Sequence, residues 1–135
     1  MPIKLSYVGQ NTKQNCLIFC DNQFKPSGLS KTFNPQIIEN INKTIKSNQN
    51  GENQIIIFNI NSSQKIIAIK IDKNQSSLEN EKKGAKFYEF AKSNSILSVN
   101  IIDSNIREFS IKNKFFLNEF LHGAQLKSYE FSKYK

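Results

Sequence analysis

Three runs of this sequence are apolar on both faces: Cys16-Leu17-Ile18-Phe19-Cys20, Gln54 to Ile60 and Lys65 to Ile71. Successive side chains of a strand point to opposite sides, so a strand with one wet face alternates apolar and polar residues. Runs without that alternation belong in a sheet covered on both sides. Asn61-Ser62-Ser63-Gln64 is a short polar turn between the second and third runs, which predicts an antiparallel hairpin.

The cover comes from three helical patterns. Asn34-Pro35 is a helix start, with Asn as the cap and Pro at the first helical position. Ile37, Ile38, Ile41 and Ile45 then form an apolar stripe, and Asn48 to Gly51 ends it. Ser76 and Glu79 have the spacing of a capping box, opening a helix that runs to about Ser93. Its inward face is expected to carry Leu78, Ala85, Tyr88 and Ala91, flanked by Phe87 and Phe90. Gly84-Ala85 is a thin patch suited to close approach to a sheet. A third helix starts at a cap on Asn113, with Phe116, Leu117, Phe120, Leu121, Ala124 and Ser128 on one stripe. Gly123 sits inside that stripe at a cost of up to about 1 kcal/mol against Ala, which predicts a close backbone contact.

Ile3 to Val8 alternates and reads as a first, half-buried strand, followed by a polar turn from Gly9 to Asn15. Asp21 to Phe33, with Pro26, Ser27 and Gly28, is a long loop. Asp72 to Gln75 closes the fourth strand, and Ile96 to Ile102 is the fifth. In Asp103 to Lys112, Ile106, Phe109 and Ile111 fit either a short strand or an ordered loop. The order β-β-α-β-β-α-β-α predicts an α/β fold: a single mixed β-sheet of about five strands flanked by helices.

At 135 residues the chain is expected to be one domain, and 38% hydrophobic residues supply a core. No apolar run approaches the roughly 18 residues of a membrane span. The first residues, MPIKLSYVGQNTKQN, lack the apolar segment of a signal peptide, so a cytoplasmic location is expected. Cys16 and Cys20 lie about 13 Å apart on one strand, too far to bridge each other, and read as buried thiols. The net charge is +8, yet Arg107 is the only arginine and the lysines are scattered. Recognition of bases and phosphates favours the guanidinium fork, so the charge reads chiefly as a solvated lysine surface.

The C-terminal residues carry a resemblance. His122-Gly123-Ala124-Gln125-Leu126-Lys127-Ser128-Tyr129-Glu130-Phe131-Ser132-Lys133-Tyr134-Lys135 is similar to the run that closes the N-terminal domain in the leucyl aminopeptidase (cytosol aminopeptidase) family. Six positions fall in register: Gly123, Leu126, Tyr129, Phe131, Tyr134 and Lys135. The order of elements is similar along the whole chain, and the family's N-terminal fold resembles the macro domain. Gly51-Glu52-Asn53-Gln54 looks like the family's entry to the third strand. Ala68, Ile69 and Lys70 depart from the family's Gly-x-Gly-like end to the fourth strand.

The resemblance implies that 1–128 is a non-catalytic N-terminal domain and that 129–135 begins a linker to a catalytic domain. It implies a parent hydrolase: a cytoplasmic hexameric metallo-aminopeptidase that removes N-terminal residues such as Leu, with two manganese or zinc ions held in that other domain. The six motif residues would then make the interdomain contact, leaving Phe131 and Tyr134 exposed in its absence. The partners would be the catalytic domain and further copies of the chain. Some bacterial relatives in the family also bind DNA, which with the charge makes a nucleic-acid-binding module the alternative.

Within the chain itself, no cofactor or metal site is expected. His122 is the lone histidine and a poor metal ligand, expected on a helix surface or interface. Glu79, Glu81 and Glu108 stand among lysines, without the setting that acid–base catalysis needs. No Ser-His-Asp or Cys-His set can be assembled, and no glycine-rich phosphate loop occurs. With five scattered glycines, an ADP-ribose type of ligand is not expected.

Overall fold

The computed structural model describes residues 4–8, 15–21, 23–30, 33–48, 55–60, 64–71, 76–96, 98–102, 105 and 116–132. Its strands are β1 (Lys4–Val8), β2 (Cys16–Cys20), β3 (Ile55–Asn59), β4 (Lys65–Lys70) and β5 (Ser98–Ile102). Its helices are α1 (Pro35–Asn48), α2 (Ser77–Ser93) and α3 (Phe116–Ser132). The strands form one mixed sheet in the order β1-β5-β2-β4-β3. β1, β5, β2 and β4 are parallel, and β3 returns antiparallel to β4 as the hairpin predicts. The fold is α/β.

The doubly apolar runs divide the core between the two faces of this sheet. Leu17 and Phe19 of β2 point to one side, where they meet Phe87, Phe116 and Phe120 of α2 and α3. Cys16, Ile18 and Cys20 point to the other, where they meet Ile41 and Ile45 of α1. All five β2 residues are fully buried. Phe19 stands edge-on to both Phe116 and Phe120, with ring centroids 5.1 and 5.2 Å apart, the arrangement aromatic quadrupoles favour.

The predicted starts of α1 and α2 are in place. The Ile37 N–H donates to Asn34 Oδ1 at 2.9 Å, capping α1. The Glu79 N–H donates to Ser76 Oγ at 3.2 Å, and that hydroxyl donates to Glu79 Oε1 at 3.3 Å. α2 ends at Ser93 in a Schellman turn: Ser95 takes φ 57°, its N–H donates to Lys92 O, and the Ile96 N–H donates to Ala91 O. Ile96 therefore belongs to the turn rather than to the fifth strand, which starts at Ser98.

The inward face of α2 differs from the expectation. Asn80, Gly84, Phe87, Tyr88 and Ala91 are buried, Ala85 is half-buried, and Leu78 is 59% exposed. The reason is Gly84. It faces α3 rather than the sheet, and Leu78, six residues earlier, stands about 120° around the helix on the solvent side. α3 continues without a break through Ser132, so Tyr129 and Phe131 stand in the helix and not in an extended linker. The cap at Asn113 lies outside the described residues, as do Ile106, Phe109 and Ile111.

In the long loop, Asp21 Oδ1 accepts the N–H groups of Gln23 and Lys25, both at 2.9 Å. Phe24 takes φ 62° and, with Leu29 and Phe33, is buried on the α1 face. The loop thus forms part of the core cover.

Candidate interdomain surface

α3 meets α2 from Glu119 to Lys127, and the two helices run parallel. Asn80 Nδ2 donates to Glu119 Oε1 at 3.0 Å, His122 Nδ1 lies 2.6 Å from Glu81 Oε1, and Lys127 Nζ lies 2.9 Å from Glu89 Oε1. Partner numbers rise together on both helices, which sets the direction. Between these polar contacts the backbones touch. A Cβ on Gly84 would lie 1.8 Å from the Phe120 carbonyl oxygen, and one on Gly123 would lie 1.9 Å from the Glu81 carbonyl oxygen. The contact that Gly123 predicts is therefore real, and its partner is helix α2.

This seam sorts the six motif positions. Gly123 is covered by the Glu81 backbone, so its surface is not open to another domain. Leu126 and Tyr129 turn outward and are 51% and 59% exposed. Phe131 lies in α3, while Tyr134 and Lys135 lie outside the described residues. The predicted stripe is buried through Phe116, Phe120 and Ala124; beyond Ala124, Ser128 is only half-buried.

The outward turn of α3 is ordered by short-range bonds. Ser128 Oγ donates to the Gln125 carbonyl at 2.7 Å, and Gln125 Nε2 donates to the Tyr129 hydroxyl at 3.2 Å. Two residues at i and i+3 on a helix share a face. Leu126 and Tyr129 thus form a small apolar step with a polar tip on the side of α3 that α2 does not cover. No family model, curated protein or solved structure matches this chain.

The chemistry-bearing side chains are otherwise spread apart. Among the described residues, no group of three or more His, Cys, Asp and Glu could hold a metal ion. His122 is a surface histidine spent on Glu81, and Glu79 is spent on its helix cap. Cys16 and Cys20 are buried outside any disulfide. Burial pushes the Cys16 thiol up to about 11, with Gln64 Nε2 on its sulfur pulling the other way. Burial raises the Cys20 thiol too, and the Asp21 charge adds to it. No helix among the described residues is long and apolar enough to cross a membrane.

Sequence reasoning missed one residue with a central part in this architecture. Asn105 is fully buried at the end of β2, bonded to Phe19 and to Ser27. A lone Asn in a segment with no clear period gives no signal of burial. Its partners lie 78 and 86 residues away in sequence.

Proposed function

We propose that this chain is a non-catalytic docking domain that seats against the catalytic domain of a leucyl aminopeptidase through the outer face of α3, on a macro-domain-like fold. The observation that carries the reading is the exposure of Leu126 and Tyr129. The resemblance assigns both to an interdomain contact, and both stand outside the helix stripe that builds this domain's own core. The element order and the two-sided sheet are compatible with the same reading. Metal ions and peptide hydrolysis belong, in this reading, to the other domain, whose removal of N-terminal residues such as Leu this domain would support by shaping assembly and access. The nucleic-acid alternative rests on the net charge of +8 and on the DNA binding that the resemblance implies for some relatives.

Titration calorimetry of the chain against the isolated catalytic domain of a leucyl aminopeptidase tests the proposal, alongside hydrolysis of leucine amide with added manganese or zinc. The expected result is one-to-one binding and no turnover by the chain. Robust turnover by the chain alone, or no heat on mixing, overturns it.

A further inference from the structure

β3 lies at one edge of the sheet, bonded on one side to β4. Opposed residues of an antiparallel ladder alternate between pairs that exchange two backbone hydrogen bonds and pairs that exchange none. The Ile60 N–H donates to the Gln64 carbonyl at 3.0 Å, which fixes the phase. Stepping back by two in the register, Phe58 with Ile66 and Ile56 with Ala68 are the bonded pairs. Ile55, Ile57 and Asn59 therefore aim their N–H and C=O groups away from β4. Among the described residues, no strand pairs with that outer edge.

Edge strands are ordinarily protected from further pairing by lysine, proline or an inward charge. β3 reads Ile-Ile-Ile-Phe-Asn and has none of these. Its Ile55, Ile57 and Phe58 stay half-buried, whereas Ile66 to Ile69 on the next strand are buried throughout. Half-buried apolar side chains and backbone groups that no described strand pairs with thus coincide on one uncharged segment.

We propose that β3 pairs antiparallel with β3 of a second copy of this chain, about a two-fold axis through Ile57. Within Ile55–Asn59, the register that pairs every outward-facing residue is the one centred on Ile57. Outward-facing residues at 55, 57 and 59 are centred on Ile57, which then sits opposite Ile57 of the second copy, with Ile55 opposite Asn59 on either side. Three such pairs exchange two bonds each. The same register sets Ile56 against Phe58 of the second copy in the closer, non-bonded pairs. A β-branched residue against an aromatic ring is a favourable cross-strand pair. β3 carries no charged side chain, so no charge faces a charge between the paired strands. A two-fold contact of identical surfaces closes on itself, so assembly through this edge stops at two. One strand's length is a small interface, which sets a weak and concentration-dependent dimer.

Sedimentation equilibrium from about 5 μM to about 1 mM spans the range of weak association. The apparent mass should rise from 15.5 kDa toward twice that value. Ile57→Pro removes an outward N–H and leaves the β4 bonds of Ile56 and Phe58 in place; it should hold the mass at one chain. Ile57→Lys keeps the N–H but sets two ammonium groups opposite each other, and should do the same. In the unsubstituted chain, amide exchange at high against low concentration should slow at least tenfold at Ile55, Ile57 and Asn59, and stay constant at Ile56 and Phe58. A single-chain mass at 1 mM overturns the proposal. So does a dimer whose outward amides exchange at an unchanged rate, or one that persists in both variants.

Discussion

Asn105 holds both backbone polar groups of Phe19. Its Oδ1 accepts the Phe19 N–H at 2.8 Å, and its Nδ2 donates to the Phe19 carbonyl at 3.1 Å. The described pairing of β5 with β2 runs through Cys16 and Leu17, and β5 ends at Ile102, opposite Ile18 in the same register. The side-chain amide takes the place of a peptide unit and extends the sheet by one step. The other Nδ2 hydrogen goes to the Ser27 carbonyl at 2.7 Å, tying the loop after β2 to the same point.

Replacing Asn105 by Ala should cost about 2–4 kcal/mol, because it leaves buried donors and acceptors unpaired, each worth roughly 1–3 kcal/mol. Asn105→Asp should be at least as damaging, since a carboxylate has no hydrogens for the Phe19 and Ser27 carbonyls. Urea unfolding measures both. A loss below about 1 kcal/mol in each would show that the amide bridge is dispensable.

At the α2–α3 seam, Gly84→Ala and Gly123→Ala each set a methyl group against a backbone carbonyl, 1.8 and 1.9 Å away in the present geometry. Ala improves helix propensity by about 1 kcal/mol, but a backbone cannot swing aside as a side chain does. The helices must separate, and Phe87, Phe116 and Phe120 lose packing together. Each variant should lose about 2–4 kcal/mol. The double variant should lose less than the sum by at least about 0.5 kcal/mol, because the first substitution already opens the seam for the second. Strict additivity in denaturant unfolding would refute the shared-seam account.

The parts of this fold that rest on local chemistry were legible in the sequence. The caps at Asn34 and Ser76 and the stripe on Ile41 and Ile45 require neighbours only a few residues away. β2 was legible as doubly covered because five consecutive apolar residues leave no wet face. Gly123 signalled a close contact because an interior helical Gly has a cost that something must offset. What was not legible is what each surface meets. Gly84 reads as a thin patch against the sheet, and only the parallel placement of α2 and α3 shows that it lies against a helix instead. Leu78 looked inward by residue type, yet it stands exposed in the first turn of α2. Asn105 acts across 86 residues of chain, beyond the reach of any periodicity.

The buried thiols give the stability a pH dependence at the alkaline end. Cys16 is held protonated up to about 11 in the folded chain against 9.0 as the reference value, and the Cys20 thiol is raised as well. Well below pH 9 both are protonated in either state and contribute no slope. Between about pH 9 and 11 the unfolded chain releases protons that the folded chain keeps. The unfolded state then binds fewer protons, so stability falls as pH rises. Denaturant midpoints across that window should decline in the unsubstituted chain, and less so in a Cys16→Ala, Cys20→Ala variant. A disulfide-exchange reagent at pH 8 should label neither thiol until the chain unfolds, because thiolate is the reacting form. Rapid labelling of the native chain would contradict the burial of β2.

The outward face of α3 separates docking from folding. Leu126→Asp and Tyr129→Ser remove the two apolar side chains that stand 51% and 59% exposed there, and the bond from Gln125 to the Tyr129 hydroxyl is itself at the surface. Surface substitutions away from caps and cores change stability by about 0.5 kcal/mol or less, so the unfolding midpoint should hardly move. A tyrosine at a contact is different, since a large, stiff, amphipathic side chain concentrates binding free energy. The double variant should therefore bind a leucyl aminopeptidase catalytic domain at least tenfold more weakly, about 1.4 kcal/mol, in the calorimetric experiment. Gly123→Ala is the informative comparison. It should weaken binding only to the extent that it unfolds the chain, because Gly123 faces α2 and not the partner. Equal binding by the double variant and the unsubstituted chain would move the docking surface away from α3. A loss of more than about 1 kcal/mol of stability in the double variant would instead return Leu126 and Tyr129 to the domain's own packing.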